Sequence, residues 1–432
     1  MPATFTTAIR YFVATRCESP LRTGGSVRDP KAILMDAYQE PFVQGTSLAG
    51  AFRNWREDPS LFPNTDLRSP LMFSDLRLTA SLDKDQTVQT VIRPRVRIDG
   101  KRGTSKGTGK FDMAALPTGT TGHFELVWTG HEDPLQIAER IEQYLSALNN
   151  GEITLGAQKS NGFGRVSITV KRRIYRMTVP ADLEAWLKGS NVEDAQPIEL
   201  SSRMEQSVLF TVTAQVPGIL VKAPGSNAGG GPQNPYGKKG KTTTIFTQIE
   251  ECGQKLIPGS SLKGTIRGQM TRICAPLKYE TAALENLFGH ENRRSTGGAA
   301  GVVRFSDGHL TQERTVKVPR IRINRLTGGI INQGFFSDEA VDANLSFEIR
   351  IPAAHKAGCA MLLYALRDLG LGLYELGSGT AVGRGRLKNT RIQICHADAQ
   401  AELCCAETGI TLTDPDGLVA GWEAELRRRA PL

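Results

Sequence analysis

The sequence predicts an α+β chain of two tandem ferredoxin-like, RRM-like domains with glycine-rich loops and inserted hairpins. Three observations predict it. The chain repeats itself once, each copy runs strand and helix patterns in the same order, and the glycine-rich basic stretches fall between those elements.

The repeat rests on five collinear matches. Gly45-Thr46-Ser47-Leu48-Ala49-Gly50 returns as Gly259-Ser260-Ser261-Leu262-Lys263-Gly264, and Phe73-Ser74-Asp75 returns as Phe305-Ser306-Asp307. Pro94-Arg95-Val96-Arg97-Ile98-Asp99 matches Pro319-Arg320-Ile321-Arg322-Ile323-Asn324, and His123-Phe124-Glu125-Leu126 matches Ser346-Phe347-Glu348-Ile349. Leu155-Gly156, Gly162 and Gly164-Arg165 match Leu376-Gly377, Gly383 and Gly385-Arg386. Any one match is weak; five in the same order mark a tandem duplication.

Each copy opens with a strand of mixed alternation, 5–15 or 208–216, followed by a long Gly/Pro-rich loop. A helix then starts at the Gly-(Ser/Thr)-Ser signal, where a hydroxyl is expected to cap the first N–H groups. Strands follow at 70–80 or 301–310, then a basic segment, then a strand at 122–129 or 344–351. Amphipathic helices come next, at 134–148 and 355–374; in the first, Ile137, Ile141, Tyr144, Leu145 and Leu148 recur at helical spacing. A glycine turn and a last strand close each copy. The expected boundaries are a first domain at 1–175, a linker at 176–206, a second domain at 207–397 and a C-terminal appendage at 398–432, the last a short helix or partner contact.

Composition narrows the function classes. The chain has 432 residues, 39% of them hydrophobic, enough for real cores and unlike a disordered chain. It has no apolar run of membrane-spanning length, and Met1 to Cys17 shows no basic-then-apolar leader, so no membrane association is expected. Seven cysteines in no CxxC spacing fit a reducing cytoplasm. Cys395, His396, Cys404 and Cys405 do not have a standard zinc spacing, and no metal ligand set is assigned.

The net charge of +9 is unevenly spread. Seven cations and one carboxylate, Asp99, lie between Val91 and Lys110; five cations and no acid lie between Arg314 and Arg325. Residues 217–249 hold four lysines and no Asp or Glu. Singly, each run reads as a solvated face. Together, on glycine-rich stretches with exposed backbone, they point to a nucleic-acid backbone.

The helix starts at Gly45 and Gly259 combine exposed donors with a favourable dipole, and Lys263, Arg53 and Arg267 add cations. The predicted RNA contacts there are Thr46, Ser47, Arg53, Ser260, Ser261, Lys263 and Arg267. The basic segments add Arg95, Arg97, Arg320 and Arg322. The glycine turns add Lys159, Gly162, Gly164, Arg165, Gly383, Arg384, Gly385 and Arg386. These turns lack the Lys-(Ser/Thr) ending of a P-loop, which disfavours an ATPase.

The paired Gly-Ser-Ser-Leu-Lys-Gly helix start, the Phe-Ser-Asp strand, the Arg-x-Arg-Ile-(Asp/Asn) segment and the terminal glycine turn resemble the CRISPR RAMP superfamily. More narrowly, each half looks like the Cas-seven-like backbone subunit of type III effector complexes, with two copies fused as in type III-D-like systems. The likeness covers roughly 5–170 and 206–395. It implies guide CRISPR RNA, complementary target RNA and other RAMP-family subunits as partners, with specificity left to base pairing. It also implies that 99–116 and 324–338 are protruding thumbs that wedge into the guide–target duplex and kink the target, aligning a 2′-hydroxyl with its own phosphate.

The family's cutting residue is an Asp in the loop between first strand and first helix, 16 residues before the motif glycine, which falls on Asp29. The family's Asp-Asn-Pro pattern is here Asp29-Pro30, so Asp36 is the runner-up, with Glu18 and Glu40 behind it. Such a carboxylate serves as general base or holds a hydrated divalent cation, magnesium, that enters with the RNA substrate. A turn-initiating Asp-Pro without chemistry is the competing reading. In the second copy the same count lands on Thr243, in a loop without carboxylates, so that half is expected to bind and not cut. None of the six histidines precedes residue 123, which disfavours a guide-processing nuclease of the related kind. A non-catalytic scaffold and a guide-independent endonuclease or chaperone stay open as alternatives. The first predicts that every cut survives Asp29 substitution, and the second predicts activity without guide.

Overall fold

The computed structural model describes residues 5–24, 29, 31–63, 67–81, 88–98, 105–189, 192–204, 206–223, 244–276, 281–293 and 297–429. The chain divides into two units. The first holds residues 1–92, 112–159 and 163–205; the second holds 206–432 together with 93–111 and 160–162.

In the first repeat the strands are β1 (Thr7–Cys17), β2 (Phe42–Val43), β3 (Leu71–Phe73), β4 (Leu76–Thr79), β5 (Val91–Ile98), β6 (Ser105–Ala115), β7 (Thr121–Gly130), β8 (Val166–Arg176) and β9 (Gln196–Ile198). The helices are α1 (Gly45–Arg53), α2 (Pro134–Asn149) and α3 (Pro180–Lys188). The sheet order β2-β4-β7-β1-β8-β9 places β1 between two antiparallel partners, the ferredoxin-like arrangement. β1 is buried along most of its length because it is central. Ile9, Tyr11, Val13, Phe124 and Trp128 from the strands pack with Phe52 of α1 and Ile141, Tyr144 and Leu148 of α2. The Asp133 side chain accepts the Leu135 N–H, capping α2 one residue before Pro134.

The second repeat runs β10 (Ser207–Ile219), β11 (Thr244–Phe246), β12 (Glu250–Glu251), β13 (Gln254–Ile257), α4 (Gly259–Cys274), α5 (Thr281–Phe288), β14 (Gly289–Arg293), β15 (Gly297–Ala300), β16 (Arg304–Phe305), β17 (Gly308–Ile323), β18 (Ile330–Pro352), α6 (Lys356–Gly370), β19 (Lys388–His396), β20 (Ala399–Ala406), β21 (Gly409–Thr413) and α7 (Leu418–Arg429). Its sheet contains the order β17-β18-β10-β19, matching β4-β7-β1-β8 strand for strand. Phe210, Val212, Phe305, Phe347, Met361 and Leu366 form its core.

One expected boundary is corrected. Residues 176–206 are not an open linker: β9 extends the first sheet by pairing with β8, and Trp186 of α3 packs edge-on against Tyr175. Mixed charge on the outer surface hid one short edge strand and one short helix. In the C-terminal segment the expected short helix is present as α7, and it is joined to the second sheet. β20 and β21 lengthen the second sheet, and Val419, Trp422 and Leu426 of α7 are buried in its core. No helix among the described residues is long and apolar enough to cross a membrane.

Candidate nucleic-acid interface

The two motif helices start as predicted, but no Ser or Thr caps them. The capping positions are Gln44 and Pro258, and neither supplies a side-chain hydrogen bond. Instead the aspartate of each Phe-Ser-Asp strand reaches the helix head. Asp75 Oδ1 accepts the Gly45 N–H at 2.7 Å, and Asp307 Oδ1 accepts the Gly259 N–H at 2.8 Å. An ionised carboxylate is a stronger acceptor than a hydroxyl and complements the helix dipole, so it takes the position. The glycines let the strand come this close: a Cβ at Gly259 would stand 2.7 Å from the Ser306 carbonyl oxygen. Thr46 and Ser47 are left exposed, and Ser260 and Ser261 half-buried, on the first turns.

At the head of α4 three predicted cations gather within the second unit. Lys263 Nζ donates to Ser160 Oγ at 2.9 Å, and its ammonium faces Arg267 and Arg95. Burial first, and then those two guanidinium groups, pull the Lys263 pKa down to about 8. No carboxylate pairs with Lys263 among the described residues. Arg267 also lies 5.8 Å from the Phe288 ring centroid.

A second cationic group surrounds one buried acid. Arg384 Nη1 donates to Asp338 Oδ2 at 2.8 Å, and Arg320 Nε stands 3.4 Å from the same oxygen. Arg322 lies over the Phe336 ring at 5.2 Å, and Lys222 Nζ lies 3.6 Å from the Phe246 centroid. Desolvation, and then the surrounding guanidinium groups against the pull of Asp338, lower the Lys222 pKa. Asp338 Oδ1 is buried without a hydrogen-bond partner among the described residues. Arg384 and Arg320 thus meet one carboxylate, with Lys222 and Arg322 close to them. Lys222 was not among the predicted contacts, although the basic stretch 217–249 contains it.

From this group the β17–β18 hairpin extends, with Arg320 opposite Phe336 and Ile323 opposite Ile330. Its tip is a tight turn in which Asn324 Oδ1 accepts the N–H groups of Leu326 and Thr327 and Gly328 has φ +66°. Leu326 is 96% exposed there, with Ile321, Ile323, Ile330 and Ile331 partly exposed behind it. The predicted thumb at 324–338 is therefore the end of a longer ladder. In the first repeat β5 and β6 pair as a two-stranded sheet, while 99–104 and the side chain of Arg97 lie outside the described residues.

The glycine turns are closed by close backbone approaches. A Cβ at Gly164 would stand 1.9 Å from the Leu155 carbonyl oxygen, and one at Gly385 would stand 1.9 Å from that of Leu376. Their close approach is to the chain's own backbone, at φ +80° and +74°, so these two glycines close the turn. Gly162 sits against Asp307, its Cβ position 2.8 Å from Oδ1. Gly383 alone of the four predicted glycines opens onto space. Arg386 and Arg53 are exposed, while Lys159 and Arg165 are half-buried.

The carboxylates of the first loop are described in part. Asp29 is exposed, and its Oδ1 accepts the Lys31 N–H at 2.8 Å, an Asx turn of the kind an Asp-Pro pair favours. Asp36 Oδ1 accepts the N–H groups of Tyr38 and Glu40. Glu18 receives the Ser167 hydroxyl, and Glu40 is exposed. Thr243 and most of its loop lie outside the described residues. Among the described residues no three His, Cys, Asp or Glu side chains converge on a possible metal position. Asp29 by itself fits only a hydrated cation whose other ligands are water and substrate phosphate oxygens.

A search of curated proteins finds no match to the chain. A family model described as RAMP superfamily matches residues 16–167 and again residues 222–388, once on each repeat. With two ferredoxin-like repeats, each carrying the same aspartate-capped helix head and the same glycine turn, the chain belongs to the RAMP superfamily.

Proposed function

We propose that this protein is a backbone subunit of a type III CRISPR RNA-guided effector complex, holding guide RNA and target RNA across both repeats. The observation that carries the reading is the cationic group at the head of α4. Burial first, and then Arg267 and Arg95, disfavour the charged form of Lys263, and a phosphate beside it would offset that cost. The group around Asp338 continues the same chemistry. Neither group offers a groove-shaped set of paired donors and acceptors, so both hold a sugar-phosphate backbone irrespective of base sequence. The apolar hairpin tip at Leu326 serves as the wedge that parts a base pair of the duplex.

In this reading Asp29 is the cutting residue of the first repeat and the second repeat only binds. A wedge-induced kink sets a target 2′-hydroxyl in line with its phosphate. An Asp29 carboxylate oxygen takes the hydroxyl proton as the 2′-oxygen bonds to phosphorus, the bond to the 5′-oxygen of the next nucleotide breaks, and water protonates that leaving oxygen. A magnesium ion held by Asp29, water and phosphate oxygens would supply charge neutralisation. The exposure of Asp29 and its short turn suit access to an extended strand. The test uses the assembled complex with its guide, end-labelled complementary RNA and magnesium. Asp29→Ala is expected to remove one specific cut while target binding persists, and Asp36→Ala to leave the cuts in place. Survival of every cut in both variants makes the chain a scaffold; cleavage without guide makes it a stand-alone nuclease.

A further inference from the structure

The two helix heads are alike in sequence and differ in what covers them. In the second unit Asp307 is buried. Its Oδ2 accepts Arg93 Nη2 at 2.7 Å, and Arg93 Nε donates to Glu251 Oε2 at 2.6 Å. All three side chains are at most 7% exposed. Gly162 lies against the same carboxylate, and Asn161 lies against Gly259. The head of α4 is thus closed by an arginine from just before the Pro-Arg-x-Arg segment and by a glycine turn.

In the first unit the same head is open. Asp75 Oδ1 holds the Gly45 N–H, but the side chain is exposed and Oδ2 meets no partner among the described residues. The counterpart of Glu251 is present too. Glu250 pairs with Lys255, four residues before Gly259, and Met35 bridges Pro41, four residues before Gly45. That register sets Asp36 at the place of Glu251. Asp36 keeps Oδ1 for its own turn, with no partner for Oδ2 among the described residues.

We infer that Asp75, with Asp36 beside it, is a docking site for an arginine of another RAMP-family subunit. That arginine lies one residue before the partner's counterpart of Pro94, and the partner is not a second copy of this chain. The inference rests on the reading of the chain as one segment of a multi-subunit assembly. The excluded self-partner follows from the repeat: aligning Pro94 with Pro319 sets Val318 where Arg93 stands. Gly383, the counterpart of Gly162, is exposed and open, but no cation accompanies it at that register. The chain therefore carries an acceptor head and lacks the matching donor, so a head-to-tail homopolymer of the kind that forms fibres is not built into it.

The experiment uses full-length chains without RNA. A donor carrying Val318→Arg and Asp75→Asn is mixed with the unsubstituted chain as acceptor, and the mass is followed by sedimentation equilibrium. The amide that Asp75→Asn introduces in the donor keeps an oxygen for the Gly45 N–H, so the fold is retained, and an unchanged thermal midpoint checks it. The expected result is a one-to-one complex of donor and acceptor, with each chain alone monomeric. An acceptor bearing Asp75→Asn is expected to bind about 30-fold or more weakly, the cost of leaving a buried charged partner unpaired. Val318→Lys provides a second donor. Absence of a complex with both donors, equal binding by the Asp75→Asn acceptor, or assembly of the unsubstituted chain alone through Asp75 overturns the inference. Because the assay contains no RNA, failure of Lys263 to contribute to RNA binding would sink the functional reading and leave this result standing.

Discussion

Lys263 reports directly on what occupies the head of α4. Its pKa of about 8 lies below that of a free lysine, so the folded protein carries a penalty, from burial first and from the neighbouring guanidinium groups second, that is full below pH 8 and fades as pH rises toward 10.5, and stability rises over that window. RNA binding has the opposite sign, because an anion favours the protonated ammonium. Affinity for a single-stranded RNA is therefore expected to fall as pH rises through about 8, with a slope of up to one proton. Lys263→Arg should flatten that slope while keeping affinity within a few-fold, as a fluorescence titration at constant salt would show. An unchanged slope in the variant removes Lys263 from the interface. At this scale the sequence was half legible. Lys263, Arg267, Arg320 and Arg384 were marked by charge in a repeated motif, but Lys222 joins Arg384 and Arg320 only through the fold. The inward turn of Gly164 and Gly385 was invisible because a glycine fits a ligand and its own carbonyl equally well.

The repeated Phe-Ser-Asp strand is a capping device, and its two copies bear unequal loads. Asp307→Ala strips the Gly259 N–H of its acceptor and leaves Arg93 with Glu251 alone in a buried site, an expected loss of about 3–5 kcal/mol. Asp75→Ala loses only an exposed cap, about 1 kcal/mol. Urea unfolding of both variants separates them, and equal losses would refute the asymmetry. The elements shared by the two repeats, and their order, were readable because hydrophobic period and turn residues are local signals. Caps were misread because Ser and Thr sit at the right place in sequence, whereas the aspartate that prevails arrives from a strand some 30 or 48 residues away. Asp29, found by counting, and Asp36, the runner-up in the same loop, both use a carboxylate oxygen to make a local turn.

For the whole molecule, the duplication was legible from end to end and the domain edges were not. Residues 93–111 belong to the first repeat by sequence and to the second unit by contacts, a division no local pattern encodes. The tail, expected as a short helix or partner contact, packs Trp422 at 5.8 Å against Phe210, and β20 continues the sheet beyond β19. Truncation after residue 397 is therefore expected to give an insoluble or molten product, tested by expression yield and loss of near-ultraviolet dichroism. A soluble, cooperatively unfolding truncation would show the tail to be an accessory.

The β17–β18 hairpin also sets where the chain can be cut by others. Its tip joins Arg325 to the fully open Leu326 in a tight turn held by Asn324, beyond the last cross-strand pair. A protease that cleaves after arginine finds that bond accessible, while the ladder below keeps the two fragments together. Nicking at Arg325 would leave a protein that migrates as one particle in native gels and as two pieces once denatured. On the proposed function, RNA seated on the hairpin would shield the bond, so the rate of that single cut becomes a gauge of how much of the hairpin is engaged.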